Sequence, residues 1–258
     1  MQENKVKITW YGTASVRIAT KSSQLLIDPF FPFSDSRVNV PSDAFDNCSH
    51  VIISHGHFDH IGSIPEVVRS HTVVYCTNAP YRTLIRKGVD KTNLHLINES
   101  SVFSIGDIHI TAYKGKHIRL GTPEILKVVF SKRFLKNRKG IIKKLIQFAS
   151  CLEKKETLCY RIKAYDKQIL ILGSLALAND IPYPTDVDLV FFPYQGSEKL
   201  CETASALYEQ IRPKAILLTH FDDTFPPFSS DIDTSEFEKR MKDTVTVYKL
   251  RHGSSLEI

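Results

Sequence analysis

A mixed α/β fold with two strand-rich halves is predicted by three kinds of pattern in this sequence. Near the N-terminus, closely spaced runs alternate apolar and polar residues with the period of a half-buried strand. Further on, short apolar runs at Val51–Ile53, Val187–Phe192 and Lys214–Thr219 have the length and β-branched character of buried strands. Between them, Ala79–Lys87, Glu198–Ile211 and Ser235–Lys242 read as helices. A chain of 258 residues can carry a substantial core as one domain, so a single domain over 1–258 is expected, with 123–156 as a basic helical insertion or lid.

Taken in order, Lys5–Trp10 sets Val6, Ile8 and Trp10 against Lys7 and Thr9, and a Gly12-Thr13 turn follows. Ser15–Thr20 alternates again, and Gln24–Asp28 comes after a Lys-Ser-Ser turn, so the three runs predict an antiparallel meander. Asp28-Pro29 ends it, because proline has no N–H to give to a ladder. Phe30–Pro41 reads as a loop and Pro41-Ser42-Asp43 as the start of a short helix, ahead of the Val51–Ile53 strand. Ile64–Arg69 then reads as a short helix and Thr72–Cys76 as a strand, with Asn78 as N-cap of a helix over Ala79–Lys87 that Gly88 ends. Strands are expected at Leu94–Ile97, Ser101–Ser104 and Asp107–Tyr113, then a loop over Lys114–Thr122. Thr157–Lys163 and Gln168–Leu172 form a hairpin across Ala164–Lys167, and Val245–Leu250 is the expected final strand.

Composition narrows the class. Apolar residues make up 42% and charged residues 24%, as in ordinary soluble globular proteins. No apolar run approaches the roughly 18 residues of a membrane span, and the polar start MQENKVKITW does not read as a signal peptide. The five cysteines are odd in number and lack CxxC spacing, so reduced thiols in a cytoplasmic protein are expected. The net charge of +6 is concentrated: Lys127–Lys155 holds eight lysines and two arginines against Glu153, leaving the rest of the chain at −3. Within that stretch Ile141, Leu145, Phe148 and Leu152 recur at helical spacing beside Ile142, Ile146 and Ala149, with Lys143 and Lys144 on the other side. Three readings stand: a helix packed on the domain with a solvated basic face, a lid attracting anionic substrates, or an amphipathic helix that touches an anionic membrane. Nucleic acid ranks last as a partner, because no aromatic-rich recognition module or RNA motif accompanies the charge.

The chemistry concentrates in Val51–Gly62, VIISHGHFDHIG. A buried strand ends at Ser54 and then delivers His55, His57, Asp59 and His60. Imidazoles and a carboxylate at that density are ligands for zinc or a related borderline metal. Residues two apart on a turning backbone point the same way, so His55 and His57 can converge on one ion while Asp59 and His60 face another. His117 in the loop KGKHIRLG and His220 at the end of the strand AILLTH stand where open sheets build their sites.

With these residues in place the chain resembles the metallo-β-lactamase superfamily. The HxHxDH pattern, the strand-then-Asp-Pro element LLIDPF, His117 and His220 follow in the family's order, and the resemblance runs from Ile8 to His220. WYGTASVRI and Pro213–His220 look most like the branch that includes ascorbate-6-phosphate lactonase and lipid-directed phosphodiesterases. The resemblance implies a four-layer αββα sandwich. It further implies that His55, His57 and His117 hold one metal, and that Asp59, His60 and His220 hold a second. The family's bridging aspartate falls in the element QILILGSLAL, where Ser174 follows Gly173, and Thr13 stands where the branch often has a histidine. A hydroxyl is a far poorer ligand than a carboxylate, so one ion, a weak second ion or a substitute donor are the alternatives. Asp180 is the nearest carboxylate along the chain.

A zinc-type ion, with manganese or iron as alternatives, brings the pKa of bound water from about 15.7 towards 7. The implied activity is hydrolysis of an ester, lactone or phosphodiester bond in a small anionic or lipid-like substrate. Asp59 is the candidate catalytic residue, orienting the nucleophile and accepting its proton. The alternative, motivated by Ser174, is a catalytically weak metal-binding member acting as a sensor or interaction module. Asp28 is either an acceptor behind a ligand imidazole or a strand-ending turn residue, and Asp222 and Asp223 are read chiefly as turn formers ahead of Pro226-Pro227.

Overall fold

The computed structural model describes residues 4–118, 141–151 and 154–258. Strands β1 (Lys7–Gly12), β2 (Ser15–Ala19), β3 (Gln24–Ile27), β4 (His50–Ile52), β5 (Val73–Cys76) and β6 (Leu94–Leu96) build the first sheet. Strands β7 (Val102–Ile105), β8 (Ile108–Lys114), β9 (Leu158–Ala164), β10 (Lys167–Ile171), β11 (Leu189–Pro193), β12 (Ala215–Thr219) and β13 (Thr246–Tyr248) build the second. β14 (Ser255–Glu257) crosses back to pair with β1, so the orders are β14-β1-β2-β3-β4-β5-β6 and β13-β12-β11-β10-β9-β8-β7. The expected meander is present as antiparallel β1–β2–β3, after which β3 to β6 run parallel.

The period of two explains the layers. Leu25, Ile27 and Ile52 point into the core between the sheets with Ile8, Trp10, Ile110, Tyr160 and Ile169. Their neighbours Leu26, Val51 and Ile53 point the other way and are covered by α1 (Phe58–Ile61), α2 (Ile64–Val67) and α3 (Asn78–Arg86) through Ile61, Ile64 and Leu84. On the second sheet, α5 (Leu200–Ile211) and α6 (Ser235–Met241) contribute Ala204, Leu207, Ile211, Phe237 and Met241. Both sheets are therefore buried on two faces, the αββα arrangement that continuous apolar strands require. Among the described residues, no helix is long and apolar enough to cross a membrane.

Several expectations need correction. Residues 42–47 form turns and not a helix after Pro41. Asn78 is the first helical residue of α3, with Thr77 as cap; the Glu156 carboxylate accepts from the Ala79 N–H at 2.7 Å and supplies the missing cap from across the fold. Val245–Leu250 is not the last strand, because the chain turns at Gly253 and adds β14 beside β1.

The basic stretch gives the most instructive difference. Of the expected insertion over 123–156, residues 123–140 and 152–153 lie outside the described residues. Helix α4 (Ile141–Ala149) forms where the spacing places it, but its faces are rotated. Lys144 turns inward: its ammonium donates to both carboxylate oxygens of Asp35 at 2.9 and 2.7 Å and to the Pro226 carbonyl at 2.7 Å, over the Phe33 ring. Phe148 also faces inward, against Phe58, Phe225 and Phe228. Ile142, Leu145 and Ile146 are left 71%, 44% and 65% exposed. A carboxylate and an aromatic ring at the docking site outweighed the simple apolar-in rule.

Candidate metal centre

Three strand ends deliver the candidate donors. β4 runs out at Ile52, and its last turn is tied to the opposite sheet: the Tyr160 hydroxyl donates to the Ile53 carbonyl at 2.6 Å, and Leu158 N–H donates to the Ser54 carbonyl at 2.8 Å. A Cβ at Gly173 would sit 2.3 Å from the Leu158 carbonyl, so this crossing of backbones needs glycine. His55 and His57 follow on the turning chain, and α1 presents Asp59 and His60 one turn later. His117 comes from the loop after β8, and His220 ends β12 in the left-handed region at φ 62.

The side chains gather into two groups: His55, His57 and His117, and Asp59, His60 and His220, with the ligand atoms of each within 4.8 Å of one another. The groups are adjacent, because the rings of His55 and His60 lie 3.9 Å apart between centroids. Asp59 Oδ2 stands 2.8 Å from His220 Nε2 and 3.4 Å from His60 Nε2.

Asp28 organises the second group. Its Oδ2 accepts from His60 Nδ1 at 2.8 Å and from the Ser54 hydroxyl at 2.5 Å, while Oδ1 accepts from the Ser54 N–H at 2.7 Å. Of the two readings of this residue, the acceptor behind an imidazole is the one its geometry matches. It holds the His60 tautomer with Nε2 free to face Asp59. Its own φ of 43 is unusual for a residue with a Cβ, and the turn before Pro29 requires it.

Burial opposes charging of His60, but Asp28 and then Asp59 outweigh it and raise its pKa. His55 goes the other way: burial, and then His60, His57, His117 and His220, hold it well below the ordinary imidazole range and keep it neutral. Burial alone would raise Asp59; His60 and the hydrogen bond with His220 prevail and keep it a carboxylate far below its usual range.

Ser174 is 8% exposed, and its hydroxyl accepts from the Ile118 N–H at 3.1 Å. The residue that the resemblance sets at the bridging position thus holds the loop that carries His117. Asp180 does not join either donor group; it lines a cleft of about 1260 Å³ that begins at His117 and also meets Lys114, Lys116, Lys155 and Lys199. Asp222 and Asp223 lie in the irregular segment after β12 but are buried, which the turn-former reading does not explain. Asp222 accepts from the Thr13 N–H at 2.9 Å and pairs with His252 at 2.8 Å. The Thr13 carbonyl in turn accepts from His220 N–H at 2.8 Å and from the Trp10 indole at 2.9 Å, so the β1–β2 turn clamps the His220 backbone. Asp223 accepts from the Ser229 hydroxyl at 2.7 Å. Sequence reasoning missed Ser54, whose position directly before His55 was the available signal, and His252, for which the sequence carries none.

The donor chemistry fits a borderline divalent metal. One group offers three imidazoles and the other two imidazoles with an anionic carboxylate; both are largely buried, and His55 and His60 are each held in a form that leaves a nitrogen for the shared space. Two mixed sheets between helices, with these donors at their strand ends, define the metallo-β-lactamase fold class. The chain belongs to the beta-lactamase superfamily, whose domain model matches residues 7–220. Among curated relatives, a UPF0173 metal-dependent hydrolase of Rhizobium johnstonii is 29% identical over 114 residues, covering 43% of this chain and 48% of the relative. One of Koribacter versatilis is 32% identical over 120 residues, again with 43% and 48% coverage, so the matches span about half the length of these relatives. Among solved structures, a metallo hydrolase of Ignicoccus hospitalis superposes with a TM-score of 0.68 at 19% identity, covering 98% of both chains.

Proposed function

We propose that the chain is a metal-dependent hydrolase that cleaves an ester, lactone or phosphodiester bond in a small anionic substrate. The observation that carries this reading is the adjacency of two three-donor groups beside a cleft bordered by four lysines against Asp180 and Glu198. The names of the UPF0173 relatives agree with it. His55, His57 and His117 would hold one ion, and Asp59, His60 and His220 the other. Zinc suits this ligand set, with manganese or iron as alternatives. A bound ion supplies Lewis acidity to the scissile group and acidity to water.

The remaining work falls to the chain. Asp59, held anionic, orients a water by accepting its hydrogen bond, and its depressed pKa makes it a better acceptor than a store for the proton. Asp28 keeps His60 in one tautomer, and Thr13 keeps His220 in place. Lys114, Lys116, Lys155 and Lys199 draw an anionic substrate towards His117. We place the protein in the cytoplasm, because all five cysteines are free and buried and a reduced state suits them.

Elemental analysis of the purified protein together with turnover on model phosphodiesters and lactones tests the reading. At least one transition-metal ion per chain and metal-dependent turnover are expected; protein without stoichiometric transition metal overturns it. A second reading, a metal-binding member without effective catalysis, is favoured by the engagement of Ser174 with Ile118, which leaves that position without a carboxylate. Metal without turnover selects it.

A further inference from the structure

Helix α4 exposes what an amphipathic helix usually hides. Ile142, Leu145 and Ile146 stand at the i, i+3 and i+4 positions of one face and are 71%, 44% and 65% exposed, while Lys144 is turned inward onto Asp35 with its side chain 16% exposed. The C-terminal end of this helix borders a groove of about 480 Å³ shared with α3. Arg82 and Arg86 of α3 and Lys154 just beyond α4 line that groove, with Tyr81 and the 39% exposed Ile85 beside them. Among the described residues, no aspartate or glutamate lines it. An aliphatic helix face thus continues into a cationic groove.

We propose that this face and groove form a docking surface for an anionic phospholipid bilayer. The apolar face has the composition of a helix lying in the headgroup–acyl boundary, and guanidinium groups match phosphate geometry. Charge complementarity singles out the anionic surface: among the described residues, the groove carries three cations and no carboxylate. The surface also sits close to the metal centre, since Phe148 on the inner side of α4 packs 5.0 Å from Phe58, the neighbour of Asp59. The proposal concerns where the protein works and does not depend on which bond it cleaves.

Vesicle co-sedimentation of the full chain tests it, with phosphatidylglycerol–phosphatidylcholine vesicles set against pure phosphatidylcholine. Binding is expected only to the anionic vesicles. The pair Ile142→Ser and Ile146→Ser should weaken it at least about tenfold, because the apolar anchor is lost. The pair Arg82→Gln and Arg86→Gln should weaken it by about thirtyfold and reduce its dependence on salt. All four positions are exposed, so the melting temperature should stay unchanged and report that each variant is folded. Three results overturn the proposal: no binding to anionic vesicles, equal binding by the isoleucine pair, or equal binding to neutral vesicles. Two others reassign the face: a wild-type dimer split by the isoleucine pair gives it to a second copy of the chain, and a fall in melting temperature without vesicle binding means that it is covered within the chain.

Discussion

The two donor groups differ less in their ligands than in what stands behind them. His60 leans on Asp28, which also grips both hydrogen-bonding groups of Ser54, and His220 hangs from the Thr13 carbonyl, whose own N–H is held by Asp222. The group with Asp59 is buried throughout, whereas His57 and His117 are partly exposed and His117 sits on a loop tied through Ser174. From ligands alone the first group reads as the secure half of the site, since the missing bridging carboxylate weakens the second. The structure gives the second group the stronger scaffold. Ligand count and preorganisation are separate contributions, and this molecule divides them between neighbouring halves of one site.

Removing the scaffold should have the largest effect. Asp28→Ala deletes the acceptor of three buried hydrogen bonds and takes the carboxylate from behind His60, so a loss of about 3–5 kcal/mol in urea unfolding is expected, as for a broken buried pair. Affinity at the second group should fall about 10–100-fold, as for removal of an outer partner of a ligand, while the first group, which Asp28 reaches only through the Ser54 hydroxyl 3.0 Å from His55 Nδ1, should lose less. Equal losses at both groups would erase the proposed division.

The same carboxylate also has a cost that pH exposes. In the metal-free protein the pKa of His60 lies above the ordinary 6.5, so its protonation stabilises the fold fully below that value, and this contribution is lost as pH rises through the folded pKa. A metal needs the neutral ring, so affinity at the second group should fall about tenfold for each pH unit below the raised pKa. His55, held well below the ordinary range, offers no such competition. Lowering pH from about 8 to about 6 should therefore release the second ion first, followed by metal analysis after dialysis. Asp28→Asn keeps an acceptor but removes the charge, and it should flatten this dependence. Loss of both ions in parallel would rule the mechanism out.

How much of this was legible in the sequence follows from the physics of each signal. The β4 ligand cluster could be read because four donors lie within six residues of one strand end, and local spacing fixes where they point. The sandwich could be read because strands buried on two faces leave uninterrupted apolar runs. The scaffold could not: Asp28 and His60 are 32 residues apart, and Thr13 and Asp222 are 209 apart, so only the folded topology pairs them. Helix α4 shows the intermediate case. Its periodicity gave the helix, but Asp35, over a hundred residues earlier, decided which face turned inward. β14 was missed because a three-residue strand is too short to show a period.

Ser174→Asp tests the ligand side of the comparison. With QILILGSLAL in the family's register, a carboxylate in this place adds a negative charge beside both groups and can still accept from Ile118 N–H, so affinity for the second ion should rise by about tenfold or more, one unit charge at effective ε of about 20 contributing several kcal/mol at most. Calorimetric titration of the metal-free protein measures it. An unchanged stoichiometry and affinity would mean that this position does not face the ions and that the resemblance in QILILGSLAL is out of register.

The smallest expected effect lies at the far end of the scaffold. Asp222→Asn preserves an oxygen for the Thr13 N–H but replaces a charged acceptor with a neutral one, which costs about 1 kcal/mol, well short of the loss expected at Asp28. The change reaches His220 through Phe221 along the chain and through the Thr13 carbonyl, which the Trp10 indole also holds. Second-group affinity should therefore move by less than the stability does, with the first group unaffected. Urea unfolding and metal competition on the same variant separate the two quantities. If affinity instead fell as far as in Asp28→Ala, Asp222 would have to act on the ions directly, and the β1–β2 turn would be part of the site instead of its support.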